Sequence, residues 1–342
     1  MKNAISNFFH ELVWKLRNSL RPVTKIGASI HLPGWVQASF YLAPALVLLA
    51  IFTFYPIINS FIISFYEGYQ VQTGEFDDYT LIGNYATILK ATGFWTAVRN
   101  TAIIVMVTVP ATVIISLFIS VALAAVKPLR GFYQTVFFLP YITNTIAIGL
   151  VFAYIFSGNI NTLDSALGLA NQVIVWFGGK PIGWLGAGTA TYWSAMAVIL
   201  IYTTWNGLAF KIIVFLSGIQ GIDKQYYQAA QIDGSTKWKS LRRITVPLIS
   251  PMIFYIMITS VIGVFKTYTS VVAIVGTSGR IQAGATGPVD MRTIVFYIYT
   301  FLDEAGRDGA MSLAAAAAII LFAIILLITI VQLQVGKRRV HY

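Results

Sequence analysis

Few side chains in this sequence of 342 residues could do chemistry, and where they fall matters more than how many there are. The three histidines, His10, His31 and His341, sit in terminal segments without paired spacing or an HExxH run, so a metal centre or a histidine base finds no partner there. The absence of cysteine excludes disulfides, thiol nucleophiles and the soft ligands of zinc and iron–sulfur sites. No GxxxxGK[ST] run is present to cradle phosphates. What remains is two lysines and one polar patch, each set in apolar sequence: Lys211, Lys266, and Tyr202-Thr203-Thr204-Trp205-Asn206 followed by Gly207. An ammonium in such surroundings is costly unless it meets water, a carbonyl or the interior of a helix bundle, so Lys266 reads either as a group on a passage or as a helix–helix contact. The patch offers aromatic faces and side-chain hydrogen bonds of the kind that hold sugars, and helix packing through small and polar residues explains it equally well.

The elements that must position these residues follow from composition. With 57% hydrophobic and 10% charged residues, the chain is far from the quarter-charged makeup of soluble proteins. Runs of roughly 20 apolar residues predict six transmembrane helices, near 38–65, 101–125, 132–156, 191–217, 247–274 and 311–335, in an all-α polytopic fold. An even number of spans puts both termini on one side. That side carries fifteen Lys and Arg against three acids, and the other carries six against nine, so the positive-inside rule makes both termini cytoplasmic. The net charge of +11 therefore orients a membrane protein instead of marking a nucleic-acid binder. No Asp or Glu falls within a span, which disfavours a proton-coupled carrier. No small-residue cleavage site follows a short apolar region, so the N-terminus is expected to be retained.

The expected organisation is an arm over residues 1–36, a six-helix domain over 37–336 with a long cytoplasmic loop at 218–246, and a basic tail at 337–342. In the arm, Ile5, Phe8, Phe9, Leu12, Val13, Leu16 and Leu20 recur at helical spacing, as in a helix lying in the membrane interface or packed on a partner. In the outer loops, Ser157-Gly158-Asn159-Ile160-Asn161 is turn-rich, and IVFYIYTF before Asp303 is too short to span and predicts a short docked helix. The run Ala314 to Ala318 marks close helix packing.

The long loop is the most informative segment. From Tyr226 to Pro251 it reads YYQAAQIDGSTKWKSLRRITVPLISP. A helix up to Ile232, a turn at Asp233-Gly234, and a second helix from Lys237 to near Pro247, capped by Asp233 or Ser235, make a helix-turn-helix. With Lys224 in the first helix, which starts near Asp223, it carries five basic residues, and it also carries Trp238. A surface connector held by anionic lipid would account for the charge, but not for one tight turn between two short helices.

The spacing of Ala229, Ala230, Asp233, Gly234, Ile244, Pro247 and Pro251 resembles the EAA loop of the permease subunits of binding-protein-dependent ABC importers, with Gln228 where the family has Glu and Leu241 where it often has Phe. The segments at 41–67, 128–143 and 203–223, and Gly83-Asn84-Tyr85, are similar to the carbohydrate-uptake branch, and the region of Pro56 to the first of its two permeases. The resemblance implies a type I importer fold with no catalytic site and no cofactor of its own, ATP and magnesium being bound by partners. Those partners are a second homologous permease, two ABC ATPases and an extracytoplasmic solute-binding protein, with membrane lipid around the chain and no nucleic acid. It implies a bacterial or archaeal cytoplasmic membrane and a coupling role for Gln228, Ala229, Ala230, Asp233, Gly234, Ser235, Trp238, Pro247 and Pro251. A short helix fixed by two prolines at the start of the fifth span can pass a rigid-body displacement into the membrane. The resemblance further implies a sugar path near Trp205, Asn206, Gly207 and Phe210 and near Lys266, Tyr268, Thr269 and Val271, to which the polar patch adds Tyr202. Lys211, some six residues from the end of its span, is within snorkelling reach of the interface. An importer of a non-sugar solute such as a glycerol phosphate, to which Lys266, Arg280 and Arg292 would suit an anion, and a stand-alone secondary carrier are the competing expectations.

Overall fold

The computed structural model describes residues 34–71, 73–126, 130–157, 167–185, 189–283, 287–304 and 309–337. The interfacial helix expected before residue 34, Lys127, the turn at 158–161 and the tail after Lys337 lie outside these residues. Two compact units divide at Ser60. The first holds helix α1 (Gly34–Leu49), a π-helical turn (Ala50–Phe54) and the start of α2 (Tyr55–Ile63). Its apolar side chains are almost all exposed, as suits a span whose solvent is lipid.

In the second unit, α3 (Gly83–Lys90) leads into α4 (Thr92–Ala125), 34 residues long. One face of α4 is a buried ladder of small polar residues, Thr108, Thr112, Ser116 and Ser120, each four apart. Such residues let backbones approach closely in lipid, where no hydrophobic force drives helices together. The ladder packs on the pair α8 (Tyr192–Asn206) and α9 (Leu208–Gln220): the Ser120 hydroxyl donates to Ile212 O at 2.9 Å, and the hydroxyls of Thr108 and Thr203 meet at 3.2 Å. Between α4 and α8 lie α5 (Arg130–Ile142), α6 (Thr145–Ile155) and the loop helix α7 (Leu169–Trp176).

The expected third span is not one helix. The segments Gly131–Ile142 and Thr145–Ile155 meet at 94°. Asn144 makes the break, its Oδ1 accepting from Ile146 N at 2.9 Å and Ala147 N at 3.3 Å, so that α6 begins afresh with its own cap. The fifth span is likewise shorter than expected. After α10 (Lys224–Ile232), α11 (Lys237–Ser240), a π turn (Leu241–Thr245) and α12 (Val246–Leu248), the membrane helix α13 (Ser250–Phe265) stops at Lys266, and α14 (Thr269–Val275) starts separately. Among the described residues four helices are thus long and apolar enough to cross a membrane, and two bent pairs bring the number to six if each is one span.

The all-α expectation also needs one addition, an antiparallel hairpin of β1 (Arg280–Ala283) and β2 (Gly287–Asp290) with Arg280 opposite Asp290. After it comes α15 (Ile294–Asp303), the short docked helix anticipated from IVFYIYTF. Thr293 caps it, its hydroxyl donates to Thr267 O at 2.6 Å, and Ile294 N donates to Thr101 Oγ1 at 3.0 Å. The helix α16 (Ala310–Lys337) buries Ala314 to Ala317, with Ala316 and Ala317 in one cluster with Phe94, Ile294 and Tyr297. Close approach recurs at Gly149 of α6, where an added Cβ would stand 2.4 Å from that of Ala273 on α14.

Candidate coupling loop and midspan site

Local capping builds the loop. Asp223 starts α10 by accepting from Gln225 N at 2.9 Å. At the far end Ser235 N donates to Ala230 O at 2.8 Å and Gly234 N to Gln231 O at 3.1 Å, the paired bonds of a Schellman stop. Gly234 holds φ +68°, which a glycine adopts without strain. The second helix is capped by Thr236, whose Oγ1 accepts from Lys239 N, and not by Asp233 or Ser235 as expected: Asp233 is the C-cap of α10, and Ser235 is occupied in the turn. The two arms are tied by a hydrogen bond of 2.9 Å between the hydroxyls of Tyr227 and Thr245.

One face of this loop is open. Ala230 turns inward, whereas Gln228, Ala229 and Trp238 are exposed and Ile232 is 87% exposed. Trp238 also lies parallel to Phe118 of α4, ring centres 6.1 Å apart. Beyond the π turn, Pro247 and Pro251 flank a bend of 70° between Lys237–Leu248 and Ser250–Phe265. Proline fits the first turn of a helix, where its missing N–H is no loss, and so starts each new segment. Ile249, at the bend itself, is buried with Phe215 and Ile256.

The midspan residues separate into two groups. Tyr202 is fully buried: its hydroxyl donates to Thr145 O at 2.6 Å and its ring packs on Phe152, so it fastens α8 to α6 and faces no passage within this chain. Lys211 does not snorkel. It is 9% exposed, and its Nζ donates to Gly207 O at 2.8 Å, because four residues of helix bring the ammonium back over that carbonyl. Trp205 and Phe210 stay exposed, Trp205 tilted on Phe152 and Phe210 stacked on Tyr141 at 6.0 Å. Asn206 and Gly207 lie half-buried between them at the junction of α8 and α9.

Lys266 is exposed at the carboxyl end of α13, where helix carbonyls favour a cation, rather than deep within a helix. Tyr268 is stacked at 4.1 Å on Tyr299 of α15, and Thr269 is exposed at the start of α14. Among the described residues no hydrogen bond or ring contact joins Lys266 to Trp205, Asn206 or Phe210, and no group of three His, Cys, Asp or Glu side chains could hold a metal ion. Tyr141 was not anticipated. Pro140 and the pair Thr143-Asn144 were the sequence signal for the break that presents it.

Residues 113–341 match the family described as binding-protein-dependent transport system inner membrane component. The chain belongs to this family. It is 29% identical over 311 residues to the lactose transport system permease protein LacF of Rhizobium radiobacter, covering 90% of this chain and 94% of that protein. It is also 29% identical over 295 residues to the arabinooligosaccharides transport system permease protein AraP of Halalkalibacterium halodurans, covering 85% of each. The fold matches the crystal structure of a bacterial ABC transporter involved in the import of the acidic polysaccharide alginate, with a TM-score of 0.70, 19% identity, and coverage of 95% of this chain and 99% of that one. The inner membrane component is thus a multi-pass, non-enzymatic permease subunit of an ABC importer.

Proposed function

We propose that this permease moves a sugar or oligosaccharide inward across a bacterial or archaeal cytoplasmic membrane by alternating access, driven by partner ATPases. The loop closed at Gly234 is the observation that carries the reading: its open face of Gln228, Ala229, Ile232 and Trp238 leads through one bend straight into a membrane helix. On this reading both termini and the loop are cytoplasmic, in keeping with the fifteen positive residues on that side. The open face seats in an ATPase, and a second permease, a second ATPase and an extracytoplasmic solute-binding protein complete the importer. ATP and magnesium belong to the ATPases. The sugar assignment is supported by the lactose and arabinooligosaccharide relatives and by the exposed rings of Trp205, Phe210 and Tyr141, whose faces suit sugar C–H surfaces. Asn206 supplies an amide beside them. Lys266 and Thr269 complete the proposed path.

Reconstitution in liposomes tests the reading. With the ATPases and binding protein present, ATP hydrolysis is expected to rise with one sugar of a panel, and uptake to require ATP. Uptake by the chain alone would overturn the assignment in favour of a secondary carrier.

A further inference from the structure

At the end of the molecule remote from the coupling loop, the starts of α4 and α8 and strand β2 border an open cavity of about 450 Å³. Arg99, Ile103, Tyr192, Trp193 and Asp290 are among the residues lining it. Its charge is unusual for its place, since the loops at this end carry more acids than bases. Arg99 is exposed, lies over the Tyr192 ring at 4.7 Å, and has no ion-pair partner among the described residues. The carboxylate in the cavity is already engaged. Arg292 Nε donates to both oxygens of Asp290 at 3.0 Å, Arg292 Nη2 donates to Oδ2 at 2.5 Å, and Arg280 Nε stands 3.9 Å from Oδ2. Two guanidinium groups, those of Arg292 and Arg280, therefore share the Asp290 carboxylate, and Arg99 is left without one among the described residues. The cavity wall is also tied together: Tyr192 donates its hydroxyl proton to Asn100 Oδ1 at 2.9 Å, and Asn100 Nδ2 donates to the carbonyls of Asp290 and Arg292, both at 3.0 Å.

The cavity lies where the apolar helices begin. Tyr192 is the first residue of the candidate span Tyr192–Gln220, and Arg99 precedes the apolar run of α4 by less than one turn. Trp193, 67% exposed, and the exposed Trp95 are amphipathic rings of the kind found at a bilayer–water boundary. Along α4 from Arg99, the exposed Met106, Val107 and Pro110 follow seven, eight and eleven residues on, on the same side of the helix. An exposed cation thus sits above an apolar track, a pairing complementary to an anionic amphiphile.

We propose that this cavity binds a phosphate group on Arg99, and that the phosphate belongs to an anionic phospholipid whose chain runs along Met106 and Val107. The site depends on α4 and α8 spanning the membrane and not on the sugar or ATPase assignments. The test uses full-length permease, with the subunits that copurify, delipidated in detergent and titrated with phosphatidylglycerol, phosphatidylcholine or inorganic phosphate. Native mass spectrometry counts retained lipid, and calorimetry reads the phosphate. Phosphatidylglycerol is expected to be retained in preference to phosphatidylcholine and to be lost about fivefold more readily from Arg99→Gln than from the parent, with Arg99→Lys between them. Inorganic phosphate bound with the same Arg99 dependence, without lipid retention, would overturn the lipid source and leave the anion site standing. If Arg99→Gln lowers the melting temperature, Arg280→Gln on the half-exposed hairpin replaces it, with a smaller loss expected. Retention indifferent to both variants would overturn the proposal.

Discussion

Gly234 sits in open space, with nothing within 4 Å of where a Cβ would lie, so the cost of replacing it is backbone strain alone. At φ +68° a β-branched residue costs about 1–2 kcal/mol, enough to lower the population of the closed turn roughly tenfold. Gly234→Val is therefore expected to leave ATPase assembly intact and to uncouple hydrolysis from uptake, read as ATP consumed per sugar moved in proteoliposomes. Unchanged stoichiometry would remove the turn from the coupling role. Burial also divides the midspan residues. Tyr202→Phe loses one hydrogen bond to Thr145 O and is expected to cost about 1 kcal/mol of stability while leaving sugar-stimulated hydrolysis unchanged. Trp205→Ala, which removes an exposed ring, is expected to do the reverse, raising the sugar concentration for half-stimulation several-fold with little change in melting temperature. A common response of the two variants would mean that burial does not separate fastening from binding.

At the scale of elements, the contact between α6 and α14 is set by Gly149 and Ala273, whose side chains cannot both carry a Cβ at 2.4 Å. Gly149→Ala is expected to lower the melting temperature, and adding Ala273→Gly to restore most of it; a double-mutant cycle in which the second change rescues nothing would place the strain elsewhere. The elements show why parts of the fold were legible and others were not. The turn at Asp233-Gly234 and the docked helix ending at Asp303 could be read because turn chemistry and the length of an apolar run act locally. The cap at Thr236 was misplaced by one to three residues because Asp, Ser and Thr are all competent caps, and only the helix register selects among them. The break at Thr143-Asn144 and the early end of α13 at Lys266 were hidden inside continuous apolar runs, where hydropathy reports the solvent and not the backbone path. Burial of Tyr202 and Lys211 depends on which face of α8 and α9 meets α4 and α6, and sequence composition does not encode that.

For the whole molecule, deletion of residues 226–246 is expected to abolish copurification of the ATPases while the membrane domain still inserts, because Gln228, Ala229 and Ile232 of the segment are exposed and not part of the packed core of the spans. The absence of cysteine makes orientation directly measurable. A single cysteine at Ser235 is expected to react with a membrane-impermeant maleimide only after the cells are opened, and one at Thr96 in intact spheroplasts; the opposite pattern would invert the topology. The bend at Ile249 joins these two sides. With 1.5 Å of rise per residue, the arm Lys237–Leu248 is about 18 Å long and the arm Ser250–Phe265 about 24 Å. On the proposed coupling role, with the buried Ile249 as the fulcrum of a bell crank of ratio near 1.3, a push of about 3 Å at Thr236 is expected to reappear as about 4 Å at Lys266, turned through 70°. A thrust delivered at the membrane surface would in this way become a larger sweep at the opposite end of the helix.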